Sequence, residues 1–285
     1  MKSKFVILLL IPLILFLQGC VLSTNTKAEQ VGLDFAFLAD APPTQLSSDS
    51  EFQVAFKIEN FGEATSAKMC LSDTVADAFG GISQECKEFS IKSSSGQGKD
   101  LSPSTEFVYF PESSGFYTYK NLQNQNVNII AKLDYFYRTK ASSEICVKDP
   151  TVQTAVLCPT QETISPDVKA PIVITKVEKH IFRINEGQVR LTLDIHLKNQ
   201  GDGIPRLVGF FGSEGDNKVL VEKISFATLP LKCDLENNVI ELQKDTEKVI
   251  KCSGIIFVDE VIKHPLELSF AYDYRVTKFI NVQIV

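Results

Sequence analysis

The sequence predicts an all-β protein, with two tandem antiparallel β-sandwich domains following an N-terminal signal helix. Three observations carry this prediction. Apolar residues alternate with polar or small ones in Phe52-Gln53-Val54-Ala55-Phe56-Lys57-Ile58-Glu59 and again in Leu191-Thr192-Leu193-Asp194-Ile195-His196-Leu197-Lys198, the period of a strand with one face on a core. These segments superimpose at a shift of 139 positions, down to the turn formers that end them, Asn60-Phe61-Gly62 and Asn199-Gln200-Gly201. A late landmark repeats as well: Tyr135-Phe136-Tyr137-Arg138 returns as Tyr272-Asp273-Tyr274-Arg275 at a shift of 137. Chance alternation would not preserve the distance between two landmarks, so the near-equal shifts argue for duplication of a whole domain.

From the N-terminus, the chain opens with Lys2 and Lys4, runs through the apolar stretch Phe5 to Leu17, and reaches Leu17-Gln18-Gly19-Cys20. This is the layout of an export signal. Thirteen apolar-stretch residues make a helix of about 20 Å, short of a hydrocarbon core of about 30 Å, and Pro12 weakens a permanent span further. The segment resembles the lipobox of prokaryotic lipoproteins, with Leu17 three positions before the cysteine, small Gly19 directly before it, then Cys20. Gln18 departs from that pattern, which favours a small or β-branched residue. The resemblance implies a signal peptide over 1–19, cleavage between Gly19 and Cys20, and a diacylglyceryl group on the Cys20 thiol. Residues 20–30, with Ser23, Thr24, Asn25, Thr26, Lys27 and Glu29, have almost nothing to bury and are expected to form a solvated tether.

The chain has seven cysteines. Assigning Cys20 to lipid leaves an even set: Cys70, Cys86, Cys146, Cys158, Cys233 and Cys252. They fall as three local couples, and of the fifteen connectivities open to six cysteines, sequential pairing closes the shortest loops. Outside the cytoplasm such bridges persist, and each contributes about 3 kcal/mol by restricting the unfolded chain. Metal binding is the rival reading, but no couple has Cys-x-x-Cys spacing and no histidine lies near one.

The duplicated units span about 31–150 and 170–285. Between them, residues 151–169 carry the breakers Cys158-Pro159 and Ser165-Pro166 and read as a connector. A Cys146–Cys158 bond would pin its first part to the last strand of the first unit. The Asn-x-Gly ending, the two alternating strands and the late Tyr-x-Tyr strand resemble the CARDB-type Ig-like domains of prokaryotic, particularly archaeal, surface proteins. That resemblance covers both units on short, degenerate motifs. It implies Ig-like sandwiches in adhesion-like or scaffold roles. The Ser-rich and loop-rich insertion in the first unit departs from a plain example.

Composition narrows the partners. The whole chain carries −6, and loss of Lys2 and Lys4 with the signal takes the mature part to −8. That balance excludes nucleic acid as a natural partner and argues against peripheral binding to anionic lipid, leaving lipid on Cys20 as the membrane contact. No cofactor motif is present. Gly96-Gln97-Gly98-Lys99 lacks the flanking residues of a phosphate loop, and there is no Gly-x-Ser-x-Gly elbow. His180, His196 and His264 lie in different predicted elements, and His196 falls on the polar phase of its strand, a solvated face. Glu214-Gly215-Asp216-Asn217 reads as a hairpin turn between 207–211 and 219–226, with weak calcium binding the sharper alternative. No Asn-x-Ser/Thr sequon is present.

One stretch suggests binding. Phe116, Tyr117 and Tyr119 stand beside Asn121, Gln123, Asn124, Gln125 and Asn126 in a segment the second unit does not copy, and aromatic faces with amides suit glycan or peptide contacts. Ordinary strand packing is the alternative. The expected function is therefore non-enzymatic: an extracytoplasmic, lipid-anchored protein with a structural, adhesive or partner-binding role toward a surface protein or glycan. A surface enzyme or small-molecule receptor, with a site formed only in three dimensions, is the competing reading.

Overall fold

The computed structural model describes residues 32–95, 102–112, 115–153, 157–165, 170–209 and 213–285. The signal peptide, Cys20, the 20–30 tether and Gly96-Gln97-Gly98 lie outside the described residues. The chain from Val31 to Val285 makes up one compact unit. Its first half supplies β1 (Leu33–Phe37), β2 (Gln45–Leu46), β3 (Val54–Asn60), β4 (Thr65–Asp73), the single helical turn α1 (Ala76–Phe79), β5 (Glu85–Ile91), β6 (Ser104–Phe110) and β7 (Gln125–Lys148). The second half supplies β8 (Gln161–Ile164), β9 (Ile172–Asn185), β10 (Gln188–Asn199), β11 (Ile204–Arg206), β12 (Lys218–Phe226), β13 (Leu229–Pro230), β14 (Lys232–Cys233), β15 (Val239–Glu241), β16 (Glu247–Phe257) and β17 (Val261–Ile284). The protein is thus almost entirely β, as the alternation predicts.

Three sheets organise these strands. One has the order β1-β3-β6 and a second the order β14-β16-β10-β9-β8. The third, β13-β12-β17-β7-β4-β5, is common to both halves. Its spine is the antiparallel pair β7 and β17, in register from Gln125↔Ile284 to Lys148↔Val261. β4 lies along the first part of β7, and β12 along the first part of β17. The two sequence halves therefore meet through a continuous sheet and not through the connector alone.

The register matches the spacing of the repeated motifs. Phe136 pairs with Asp273, the residue 137 positions on, which is also the shift that relates the two Tyr-x-Tyr motifs. A local two-fold axis therefore passes through this pair, exchanging β7 with β17. Inward-facing side chains make the same bonds on either side of it. Tyr135 Oη accepts from the Leu33 amide at 3.1 Å, and Tyr272 Oη accepts from the Ile172 amide at 3.2 Å. Leu33 and Ile172 are themselves 139 positions apart. The four rings of Tyr135, Tyr137, Tyr272 and Tyr274 pack together with centroids 5.7 to 6.2 Å apart.

The Asn-x-Gly endings have a common cause. Asn60 and Asn199 are both buried. Each accepts from the glycine two residues on, Gly62 at 2.9 Å and Gly201 at 3.2 Å, and donates its amide to a later carbonyl, Glu63 at 2.7 Å and Gly203 at 3.0 Å. The glycines are required by close approach: a Cβ at Gly62 would sit 2.8 Å from the Tyr137 hydroxyl, and one at Gly201 would collide with the hydroxyl of Tyr274. The two sequence landmarks of each half thus touch each other in space.

All three expected disulfides are present. Cys70–Cys86 and Cys233–Cys252 join directly opposed strand positions with Cα–Cα separations of 4.0 and 3.9 Å, and Cys146–Cys158 spans 5.7 Å. The connector does more than link: β8 pairs with β9, and the buried Lys179 ammonium bridges Glu162 Oε2 at 2.6 Å and the Cys146 carbonyl at 3.1 Å. A buried cation needs such partners to offset its desolvation.

Candidate functional site

The aromatic segment turns largely inward. Tyr119 is only 1% exposed and stacks on Phe52 at 5.1 Å, while Tyr117 is half-buried, packs on the same ring at 5.7 Å and donates its hydroxyl to Glu85 at 2.5 Å. Main-chain bonds between Phe52 and Tyr117 in both directions hold the segment in an isolated antiparallel bridge just ahead of β3. Burial first, then the neighbouring Asp73 carboxylate, pushes the Tyr119 phenol up. Tyr119 is therefore a core residue, contrary to the expected binding surface, because in a strand the odd positions 117 and 119 share the inward face. Phe116 alone points out, at 54% exposure.

The turn at Glu214-Gly215-Asp216-Asn217 also departs from expectation. Ser213–Gly215 is a 3-10 turn between β11 and β12, and the Asp216 carboxylate is bonded to Arg206 Nε at 2.6 Å. Asp216 belongs to a line of ion pairs on the outer face of the shared sheet: Arg275 makes two bonds to Asp134, at 2.7 and 3.0 Å, and Arg206 lies 3.8 Å from the same carboxylate. A shallow groove of about 500 Å³ runs here, lined by Phe136, Asp273, the arginines and the Cys70–Cys86 bridge. Burial raises the pKa of Asp273, opposed by the Gly209 amide that donates to it at 3.1 Å. Arg275 and Arg206 are engaged with Asp134 and Asp216, so the groove reads as a clamp across the two-fold axis.

A different surface has the character of a binding site. On the outer face of the five-stranded sheet, register places side chains from β9, β10 and β16 in rows: Phe182, Arg190 and Ile255; then His180, Thr192 and Ser253; then Glu178, Asp194 and Lys251; then Lys176, His196 and Val249. At one end Phe182, Ile184, Ile255 and Phe257 are exposed, Phe257 to 74%. β8 covers β9 only from Val177 to His180, so among the described residues the edge of β9 beyond Ile181 carries no paired strand. An apolar cluster on the face and an open edge beside it are the ordinary marks of an interaction surface.

The other end of this face is ionic. Lys176 Nζ bonds Glu178 Oε1 at 2.7 Å, Thr175 Oγ1 donates to Glu247 at 2.6 Å, and His196 lies between the two carboxylates, Nε2 at 3.8 Å from Glu178 and Nδ1 at 3.3 Å from Glu247. The Lys176 hydrogen bond holds Glu178 below the usual carboxylate range, and those from Thr175 and then His196 do the same for Glu247. His196 is buried, not solvated as expected, because the Glu178 and Glu247 side chains close over it on this face. Sequence reasoning missed this face: its residues are scattered over three strands whose pairing order no single stretch reveals.

No family model and no curated protein matches the chain. Among solved structures it has a likeness to the sporulation control protein Spo0M from Bacillus subtilis, at 11% identity, over 58% of this chain and 79% of that one, with a TM-score of 0.15.

Proposed function

We propose that this chain is an extracytoplasmic lipoprotein, anchored through lipid on Cys20, that displays two Ig-like sandwiches fused through a common sheet and captures a protein partner on the outer face of the second. The observation that carries the reading is the exposed cluster of Phe182, Ile184, Ile255 and Phe257 around Arg190. Aromatic side chains with a central arginine are the composition of protein–protein hot spots. A glycan would favour amides beside the rings, and Ile184 and Ile255 offer none. An anionic membrane would need a basic rim, whereas Glu186, Asp259 and Glu260 occupy the adjoining hairpin tips. The three disulfides support an oxidising compartment, and the repeated Asn-x-Gly and Tyr-x-Tyr contacts support the tandem Ig-like reading.

Two measurements test this. Intact mass of the native protein should show a chain beginning at a lipidated Cys20; a mature chain beginning elsewhere with unmodified Cys20 overturns the anchor. Quantitative co-purification from native membranes should then recover a protein at near-stoichiometric ratio with the wild type and at least about tenfold less with Phe182→Ser plus Phe257→Ser, since loss of hot-spot residues costs roughly 2 kcal/mol or more. Equal recovery with that variant overturns the assigned face.

A further inference from the structure

We propose that Glu178, His180 and Asp194 form a binding site for a divalent transition-metal ion of the zinc type on the outer face of the five-stranded sheet. This goes beyond partner capture and does not depend on it. The donor atoms of the three residues lie within 4.8 Å of one another, a spacing that small side-chain rotations close around an ion at about 2.1 Å from each donor. Glu178 and His180 are successive outward positions of β9, and Asp194 of β10 stands directly opposite Glu178, so a rigid two-strand ladder fixes all three.

Two features of this face favour a cation there, beyond the ammonium that Lys176 already offers to Glu178. Carboxylates placed directly opposite each other on neighbouring strands repel, yet Glu178 and Asp194 occupy such a pair. Asp194 Oδ1 is shut off from solvent and accepts no hydrogen bond; Lys251 Nζ stands 3.6 Å away, beyond hydrogen-bond range. Buried acceptors are normally satisfied. A cation between the two carboxylates answers both features at once. One imidazole with two carboxylates favours zinc over magnesium or calcium, which take oxygen ligands. Three protein ligands on an open sheet face leave at least one position of the ion to water or to a donor from a bound partner.

The test uses the mature chain after exhaustive treatment with chelator, titrated with Zn2+ by calorimetry and with Co2+ by visible absorption. The expected result is one equivalent bound, with a Co2+ spectrum of low coordination number. His180→Ala and Asp194→Asn should each weaken binding at least about tenfold, while their circular dichroism and unfolding midpoints without metal stay close to wild type. His264→Ala, on β17, should bind as the wild type does. No uptake by the wild type, or the same affinity in the His180 and Asp194 variants, or an equal loss in His264→Ala, overturns the proposal.

Discussion

Replacing Asn60 by alanine isolates the bonds that define the end of β3. Its amide donates to the carbonyls of Glu63 at 2.7 Å and Lys92 at 2.8 Å, and its carbonyl accepts from Gly62 at 2.9 Å. At about 1 kcal/mol net per bond, with the side chain buried, Asn60→Ala should cost about 3 kcal/mol. For a chain of this size that is a fall in Tm of about 6 to 12 °C. Asn199→Ala should cost less, about 2 kcal/mol, because the Gly201 amide is shared with the Pro171 carbonyl at 3.2 Å and the Tyr274 hydroxyl, which donates to Asn199 Oδ1 at 2.9 Å, can donate instead to the Gly203 carbonyl at 3.0 Å. Asn60→Asp discriminates further: it keeps the acceptor but turns a carboxylate toward two carbonyls, so at pH 7 it should be less stable than the alanine variant. That carboxyl would have a raised folded pKa, so the ionisation deficit should shrink as pH falls through the folded pKa and be gone below about 4, where the acid is protonated in both states. Urea unfolding of the three variants measures all of this. A loss under about 1 kcal/mol for Asn60→Ala, or Asn60→Asp more stable than Asn60→Ala at pH 7, would contradict this bonding.

The corrected aromatic segment predicts that Tyr119→Ala costs about 3 to 5 kcal/mol, as for a fully buried ring, whereas Phe116→Ala leaves the unfolding midpoint within about 0.5 kcal/mol of wild type; equal effects would contradict the packing. Asp273→Asn should stabilise the protein at pH 7. Burial raises its folded pKa, so the native carboxylate is disfavoured once ionised, and the gain should vanish below the unfolded value of about 3.9; a gain that grew on acidification has the wrong sign. A fragment of residues 170–285 would expose the β17 edge that β7 covers over its whole length, so it should self-associate or unfold well below the midpoint of the 31–285 chain, and a monomeric fragment of undiminished stability would argue for independent halves.

How far the sequence discloses this structure follows from which features are local. Phe52, Val54, Phe56 and Ile58, and their counterparts Leu191, Leu193, Ile195 and Leu197, all face the core as the alternation predicts, because side-chain period is a property of the strand itself. The three sulfur couples are legible for the same reason, each closing a short loop. The pairing of β7 with β17 is not local. Alternation reads the same whether a strand's neighbour belongs to its own half or the other, although 24 residues is far longer than the usual strand of about 5 or 6 and was a usable sign. His196 keeps the outward phase that periodicity gives it, and its burial comes from Glu178 on β9 and Glu247 on β16, neighbours that no single stretch of sequence reveals. Tyr117 and Tyr119 misled because amides and Gly115 around them resemble a loop, while the odd-position spacing that marks them as inward was present.

The proposed contact is between the apolar end of the five-stranded sheet and a protein partner. Its most direct measurement is site-specific photocrosslinking in intact cells, with a benzophenone side chain at position 257 compared with the same group at position 132, an exposed site on the outer face of the shared sheet. One discrete adduct to a single protein is expected from position 257, lost when Phe182→Ser is added, and none from position 132. Adducts to lipid alone, or the same products from both positions, would contradict it.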